Sequence, residues 1–327
     1  MVDIFISVII NSYKRSEYIK EAVKSVLKQD FNKEMYEIIV VKGFKNREID
    51  KFLQMNKVVS VYIDGKYNGE RWAEGIRISR GNLICFMDDD DIFSGLKLKR
   101  VHSVYKDTLF NYYHNSYTFT LENLSKSFND YLLLKTNQDS ASLNRILKYN
   151  MKYKMNINSS SICVSRDVIT NYFEESKKVS IGWDVYLFYL YLSHSRNFVI
   201  DNTYLTYYRR HNSYSYFSKE ANQFKMMELN KAQDAENAYK LYLSTVPQEF
   251  LKQILKYEAF SYKIPFYICN PDNLESPKFL SIFSFLLNAK SYSLRFRSVY
   301  FLIGILSKLS KNRAFNLYFY LANRKIF

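Results

Sequence analysis

Glycine and proline are scarce in this chain, at 8 and 4 of 327 residues. With 47% of residues hydrophobic, that scarcity excludes disorder as the dominant state, because so apolar a chain can bury a sizeable core. Cysteine is rarer still. Cys85, Cys163 and Cys269 lie far apart with no CxxC pair and no Cys/His cluster, so neither a disulfide scaffold nor a zinc site is expected. They read as separate, reduced, mostly buried thiols of a cytoplasmic protein. Long hydrophobic runs are missing too. A bilayer-spanning helix needs about 20 apolar residues, and the longest runs near the C-terminus are Phe279 to Leu287 and Val299 to Leu306. The apolar start, Met1 to Ile10, carries no basic stretch and no small-residue cleavage site, and reads as a buried strand rather than a signal peptide.

Acidic residues are absent after Glu275. The same stretch carries nine bases, Lys278, Lys290, Arg295, Arg297, Lys308, Lys311, Arg313, Arg324 and Lys325. Of 47 basic residues that leaves 38 against 32 acids in the rest of the chain, so most of the formal +15 belongs to the tail. Runs of Phe, Leu and Ile broken only by bases suit helices lying in a membrane interface, and 276–327 is expected to touch an anionic membrane surface. All four prolines fall between Pro247 and Pro277, which marks a change of architecture. The expected organisation is a catalytic α/β domain over 1–218, with halves of about 1–101 and 102–218, and a helical extension over 219–327. The 57 aromatic residues (30 Tyr, 25 Phe, 2 Trp) are spread through apolar runs as core residues are, which argues against a nucleic-acid groove.

The first hundred residues alternate between strands and helices. Ile4 to Ile10 is a continuous apolar run, and Ser16 offers an N-cap to a helix in which Ile19, Ala22, Val23, Val26 and Leu27 share a face. Glu37 to Val41 is a second strand, a short helix covers Glu48 to Leu53, and Val58 to Ile63 is a third strand. Arg71 to Ser79 reads as a helix and Leu83 to Met87 as a fourth strand. Such units with near-continuous apolar strands mean a mostly parallel sheet flanked by helices, with ligands beyond the carboxyl ends of its strands.

The fourth strand runs into Asp88-Asp89-Asp90-Asp91. An acidic run is usually a solvated face; this one emerges from a buried strand at the expected ligand edge. Four adjacent carboxylates repel one another, and a divalent cation, Mg²⁺ or Mn²⁺, relieves the repulsion through oxygen ligands while bridging to a diphosphate.

Several ordered segments resemble the family 2 glycosyltransferases, nucleotide-sugar enzymes of the GT-A fold. Val8-Ile-Ile-Asn-Ser-Tyr-Lys-Arg15 is similar to their V-I-I-P-T-Y-N-R, and Ser25-Val-Leu-Lys-Gln-Asp30 to S-V-L-x-Q-T. Asn68-Gly69, Gly75-Ile76, Arg80-Gly81-Asn82 and Phe86-Met-Asp-Asp-Asp-Asp91 resemble N-x-G, N-x-G-I, A-x-G and F-L-D-x-D-D. The resemblance covers about 4–101 well and 158–213 thinly. It implies that Asp88 and Asp90 are the DxD carboxylates, with Asp90, Asp91 and Asp88 on the metal and Asp88 and Asp89 beside the nucleotide sugar. It also places Ser12, Tyr13, Arg15, Asn68 and Arg71 around the donor, a UDP- or GDP-sugar, although Arg71 reads equally as an exposed helix charge. Where relatives carry V-V-D-D-G-S, this chain has Val-Val-Lys42-Gly43-Phe44-Lys45. Lys42 stays on the nucleotide side but cannot accept a base N–H, so another group must.

Inverting transfer needs a carboxylate to take the acceptor hydroxyl's proton. The resemblance points to Ile181-Gly182-Trp183-Asp184, where Gly182 stands at the usual acid and Asp184 two residues on is the expected base. Trp183 is either an acceptor-side stacking surface or core. Tyr207-Tyr208-Arg209-Arg210-His211 with Ser213 resembles Y-R-R-H-x-x-S, implying phosphate contacts from Arg209 and Arg210 and a metal contact from His211. The acceptor implied is a glycan, including a polyprenyl-phosphate-linked one, at the cytoplasmic membrane face. Two other readings stand beside this one: a GT-A-like binding protein that has lost catalysis, and a nucleotidyltransferase. The latter wants a Gly-rich loop after the first strand, where this chain has none before Gly43.

Overall fold

The computed structural model describes residues 4–13, 16–65, 67–126, 130–209, 220–270, 276–289 and 292–324. They fall into two compact units, within Met1–Arg210 and His211–Phe327.

In the first unit the strands are β1 Ile6–Ser12, β2 Tyr36–Lys42, β3 Val59–Tyr62, β4 Leu83–Asp88, β5 Ile92–Phe93, β6 Tyr112–Thr118, β7 Tyr131–Lys135, β8 Ile162–Ser165 and β9 Asn197–Tyr207. The helices are α1 Ile19–Leu27, α2 Arg47–Met55, α3 Asn68–Ile78, α4 Lys97–Thr108, α5 Ser140–Tyr153, α6 Arg166–Asn171, α7 Phe173–Lys177 and α8 Trp183–His194. One sheet runs in the order β3-β2-β1-β4-β8-β6-β9-β5, with β7 paired to β9. Pairing is parallel through β3-β2-β1-β4 and antiparallel where β8 meets β4 and β6. The fold is the expected α/β sheet with helices around it. Strand order reverses across β1: the chain steps outward to β2 and β3, then returns to β4 on β1's other side. The carboxyl ends of β1 and β4 therefore form the crevice where an open α/β sheet takes its ligand.

β1, β2 and β4 are buried on both faces, which is why they read as unbroken apolar runs, whereas β3 at the sheet edge is largely exposed. Ile6, Val8 and Ile10 face α1 and α4 with Val40, Cys85 and Met87. On the other face α3 comes close because Gly75 has no Cβ; one added there would stand 2.4 Å from Ile9 Cγ2. Trp72 of α3 stacks on Trp183 of α8 at 5.7 Å between ring centres, and both meet Phe86 of β4 edge-on. That aromatic cluster pins the start of α8 to β4.

Two expectations are corrected. Ser16 does not cap α1. The helix begins three residues later, where Tyr18 already lies in helical geometry and its carbonyl accepts the N–H groups of Glu21 and Ala22. Cys85 and Cys163 are not separate thiols but a disulfide across β4 and β8, whose antiparallel register brings their Cα atoms to 4.2 Å despite a sequence separation of 78. Cys269 is free and buried.

The second unit is helical: α9 Ala221–Thr245, α10 Glu249–Phe260, α11 Lys263–Cys269, α12 Phe279–Asn288, α13 Leu294–Leu309 and α14 Lys311–Asn323. Phe224, Ile264, Ile282, Phe285, Tyr300 and Ile303 lie in its own core.

In the sheet, His114 of β6 is buried with Nε2 2.9 Å from the Ile157 carbonyl, and burial lowers its pKa to about 4. A neutral buried imidazole lets the unfolded chain take up a proton first as pH falls, so stability is lost between pH 6.5 and about 4. Relative to His114→Gln, the wild-type protein should lose about 2 kcal/mol between pH 7 and pH 5 in urea titrations. Parallel pH profiles for the two would show that His114 does not titrate this way.

Candidate active site

β4 delivers the four aspartates into a tight turn, closed by the Asp91 N–H on the Asp88 carbonyl at 3.3 Å. The backbone N–H of Asp88 donates to Ser160 Oγ at 2.9 Å. Asp89 is buried and its Oδ2 accepts the Ser12 hydroxyl at 2.5 Å, which ties the turn to the end of β1. Burial raises the Asp88 carboxyl well above the usual carboxylate range, and the charges of Asp91, Asp90, Asp89 and Asp184 add to the rise. Asp91 is pushed up to about 7 by burial and then by Asp90, held back by a Ser160 hydrogen bond, the Arg209 N–H and the Lys97 charge.

Lys97, the first residue of α4, is wholly buried. Its Nζ donates to the Ser160 carbonyl and, at 3.1 Å, to Thr206 Oγ1, and it lies 3.8 Å from the centre of the Phe93 ring. Burial drives its pKa well down and Asp91 opposes that fall. Arg209 clips the turn from β9's end: its N–H donates to Asp91 Oδ1 at 3.0 Å and its Nε to the Asp90 carbonyl at 2.8 Å. Its guanidinium pairs with Glu21 at 2.5 Å and lies over Tyr18, so here it braces the acidic turn rather than standing open to a phosphate. Arg15, Arg210 and His211 lie outside the described residues.

At the end of β1, Asn11 accepts Arg71 Nε at 2.9 Å and donates to Asn68 Oδ1 at 2.5 Å. Arg71 is buried, not an exposed helix charge. Its guanidinium lies 4.3 Å from the centre of the Tyr13 ring, and burial lowers its pKa against the pull of Tyr13, Glu70 and Asp89. Tyr13 itself is 42% exposed. Lys42, register partner of Ser12, is buried and salt-bridged to Asp50 Oδ1 at 2.7 Å. Its side chain also donates to the Phe44 carbonyl. Asp50 projects from α2 with its side chain 46% exposed. A carboxylate thus stands beside β2's end although none is encoded there.

Asp184 sits in the first turn of α8, after Gly182 whose φ of 66° is left-handed backbone. Its Oδ2 accepts the Asn158 N–H at 2.9 Å and its Oδ1 the Val185 N–H at 3.0 Å. Burial raises its pKa and those two N–H groups restrain it. Asn158 in turn accepts the Ser160 N–H on its side chain, and Ser160 Oγ accepts the Asp88 N–H, which puts Asp184 at the same corner as the acidic run. Trp183 is 2% exposed and stacked on Trp72, so it is core and presents no face to a sugar.

A divalent cation fits this donor set. Asp91 Oδ2 is buried and has no hydrogen-bond partner among the described residues. No group of three or more His, Cys, Asp or Glu side chains among the described residues is arranged to hold an ion alone. Hard carboxylate oxygens of this kind suit an ion such as Mg²⁺ or Mn²⁺, with phosphate and water completing its shell. Sequence reasoning missed Asn158, Ser160 and Lys97; the asparagine before a serine run is visible in the chain, but its positive φ is not.

Residues 7–173 match the sequence profile described as Glycosyl transferase family 2. A Rickettsia bellii protein described as an uncharacterized glycosyltransferase is 32% identical over 120 residues, 35% of this chain and 17% of that one. One from Nostoc sp., described likewise, is 27% identical over 106 residues, 31% and 33% of the two. This chain therefore matches only a minor part of either relative's length. Among solved structures, residues 1–349 of S. aureus TarS in complex with UDP-GlcNAc superpose with a TM-score of 0.59 at 12% identity, covering 98% of this chain and 92% of that one. The mannosyltransferase PcManGT of Pyrobaculum calidifontis, in complex with GDP-Man and Mn²⁺, gives 0.53 at 11%, covering 97% and 83%. At such identities these two likenesses show the fold alone. The family match spans just over half of the chain, from β1 to the start of α7, and takes in the acidic turn. The chain belongs to glycosyltransferase family 2.

Proposed function

We propose that this protein is an inverting, metal-dependent hexosyltransferase that moves a sugar from a nucleoside-diphosphate donor to a hydroxyl acceptor. The observation that carries the reading is the link from Asp184 through Asn158 and Ser160 to the Asp88–Asp91 run at the carboxyl end of β4. Asp88 and Asp90, with Asp91, would hold Mn²⁺ or Mg²⁺ against the donor diphosphate. Such an ion offsets the charge that develops on the departing diphosphate. Ser12, Tyr13, Asn68 and Arg71 line the donor side, Asp89 braces it through Ser12, and Asp50, held by Lys42, takes the base N–H that Lys42 cannot. The donor class is a UDP- or GDP-sugar, as in the two superposed proteins.

The acceptor oxygen attacks the anomeric carbon from the face opposite the diphosphate. The carbon–oxygen bond to the diphosphate breaks, its electron pair leaves with the diphosphate, and the acceptor's proton passes to Asp184. A carboxylate raised by burial is the better base at neutral pH. One displacement inverts the anomeric centre.

The catalytic part lies in 1–218 and the helical extension in 219–327. No helix among the described residues is long and apolar enough to cross a membrane. We place the extension peripherally on the cytoplasmic membrane face, against anionic lipid, with a glycan on a lipid carrier as acceptor. Two features support this: the lack of acids after Glu275, and an outer stripe of Phe279, Leu280, Phe283 and Leu287 on α12, Leu280 being 77% exposed. Apolar side chains on an acid-free basic surface combine the two forces of interfacial binding.

Mn²⁺ with UDP or GDP should raise the melting temperature of the wild-type protein and leave that of Asp90→Ala unmoved; equal shifts in both would remove the metal assignment. Asp184→Asn should lower kcat by about 10²- to 10⁴-fold with little change in donor KM, measured as release of nucleoside diphosphate from UDP- and GDP-sugars. Wild-type turnover in that variant would assign the base elsewhere. Replacing Leu280 and Leu287 by Asp should abolish sedimentation with phosphatidylserine liposomes while leaving the melting temperature in place. Undiminished sedimentation would end the membrane assignment.

A further inference from the structure

Between β4 and α8 lies a short 3₁₀ turn, Ser159–Ser161, preceded by Asn158 at φ 71°. Asn158 and Ser160 are buried, and together they contact both chemical halves of the site. Asn158 donates its backbone N–H to Asp184 Oδ2 at 2.9 Å. Its side-chain Oδ1 accepts the Ser160 N–H at 3.0 Å. Ser160 Oγ accepts the Asp88 N–H at 2.9 Å and hydrogen-bonds Asp91. The Ser160 carbonyl is held from beneath by Thr206 Oγ1 at 2.9 Å and by the buried Lys97 ammonium. The carboxylate that takes a proton and those that face the diphosphate are therefore joined through two residues, by the backbone N–H and side-chain amide of Asn158 and the backbone N–H and hydroxyl of Ser160.

We infer that Asn158 and Ser160 are positioning residues that set the distance between Asp184 and the acidic turn, and with it the distance between acceptor hydroxyl and anomeric carbon. The inference rests on the reading of Asp184 as base and the acidic turn as donor site. The left-handed backbone at Asn158 is part of the device. It aims one residue's N–H at Asp184 while that residue's side chain caps the turn, and asparagine is enriched several-fold among non-glycine residues at positive φ. A displacement of about 1 Å in such a spacing is enough to cost about 100-fold in rate. Ser160 cannot move alone, because its carbonyl is anchored to β9 and α4 as well.

The variants separate positioning from folding. Asn158→Gly keeps the left-handed backbone and the N–H to Asp184 and removes only the amide link to Ser160. Ser160→Ala removes the hydroxyl between Asp88 and Asp91, and Ser160→Thr restores it. With the UDP- or GDP-sugar from which the wild-type protein releases nucleoside diphosphate, Asn158→Gly should lower kcat at least tenfold with donor KM within about twofold. In the Asp184→Asn background the same change should cost almost nothing further, since both act through one group. Ser160→Ala should raise donor KM and weaken the Mn²⁺–nucleotide thermal shift, and Ser160→Thr should recover most of both. Losses that follow the folded fraction alone, or that multiply undiminished with Asp184→Asn, overturn the inference. An unchanged Mn²⁺–nucleotide shift in Ser160→Ala overturns it even with no turnover to follow. A wild-type protein that releases no nucleoside diphosphate, or an Asp184→Asn variant as active as wild type, counts instead against the function proposed above.

Discussion

Crowding of negative charge at one corner of a buried sheet is the constraint from which the rest of the first unit follows. Five carboxylates, Asp88 to Asp91 and Asp184, meet where β4 leaves the sheet. Burial makes Asp88, Asp91 and Asp184 costly to ionise, and neighbouring carboxylates add to that cost at Asp88 and Asp91. The surrounding structure reads as a set of answers to that cost. Ser12, Ser160 and the N–H groups of Arg209, Asn158 and Val185 supply hydrogen bonds to the charged oxygens. Lys97 supplies a positive charge from inside the fold, where it is itself destabilised by burial and gains from Asp91. An arrangement that leaves Asp91 raised even after these contacts is one suited to receive more positive charge from outside the chain.

The positive groups nearby are already placed to hold protein together. Arg209 is committed to Glu21 and the Asp90 carbonyl, Lys42 to Asp50 and Arg71 to Asn11. Each does structural duty at the end of a strand of the parallel half or its neighbour. The site's electrostatics are thus the electrostatics of its scaffold, and substitution of these cations changes shape as well as charge. Arg71 and Tyr13 make the point at the end of β1, where the guanidinium is buried under a ring that is itself partly open to solvent.

Much of the fold was legible in the chain because β1, β2 and β4 are buried on both faces. Continuous apolar runs such as Ile6 to Ile10 and Leu83 to Met87 have no other stable home, and the acidic run after the latter leaves the sheet at the carboxyl end of β4. What sequence could not show depends on contacts between distant segments. Ser16 looked like a cap because it is the right residue type, yet Tyr18 starts the helix by backbone geometry alone. Lys97 and Arg71 look like solvent charges on helices, and only the register of α4 and α3 against the sheet buries them. Cys85 and Cys163 gave no spacing signal because an antiparallel strand added late, β8, brings them together. Asn158 and Ser160 act through backbone N–H and carbonyl groups as much as through side chains, which residue identity does not advertise. Trp183 was ambiguous between surface and core until Trp72, more than a hundred positions away, was seen to cover it.

Gly75 carries a consequence out of proportion to its size. Because it lets α3 rest directly on Ile9 and Val41, the residue one helical turn earlier on the same face, Arg71, reaches Asn11 and lies beside Tyr13. A single methyl group at that contact would lift the whole helix and draw the guanidinium away from the crevice with it. Where a cation rests in this pocket is thus governed by a void, so drift at a silent-looking hydrogen atom would retune the chemistry without touching any charged residue.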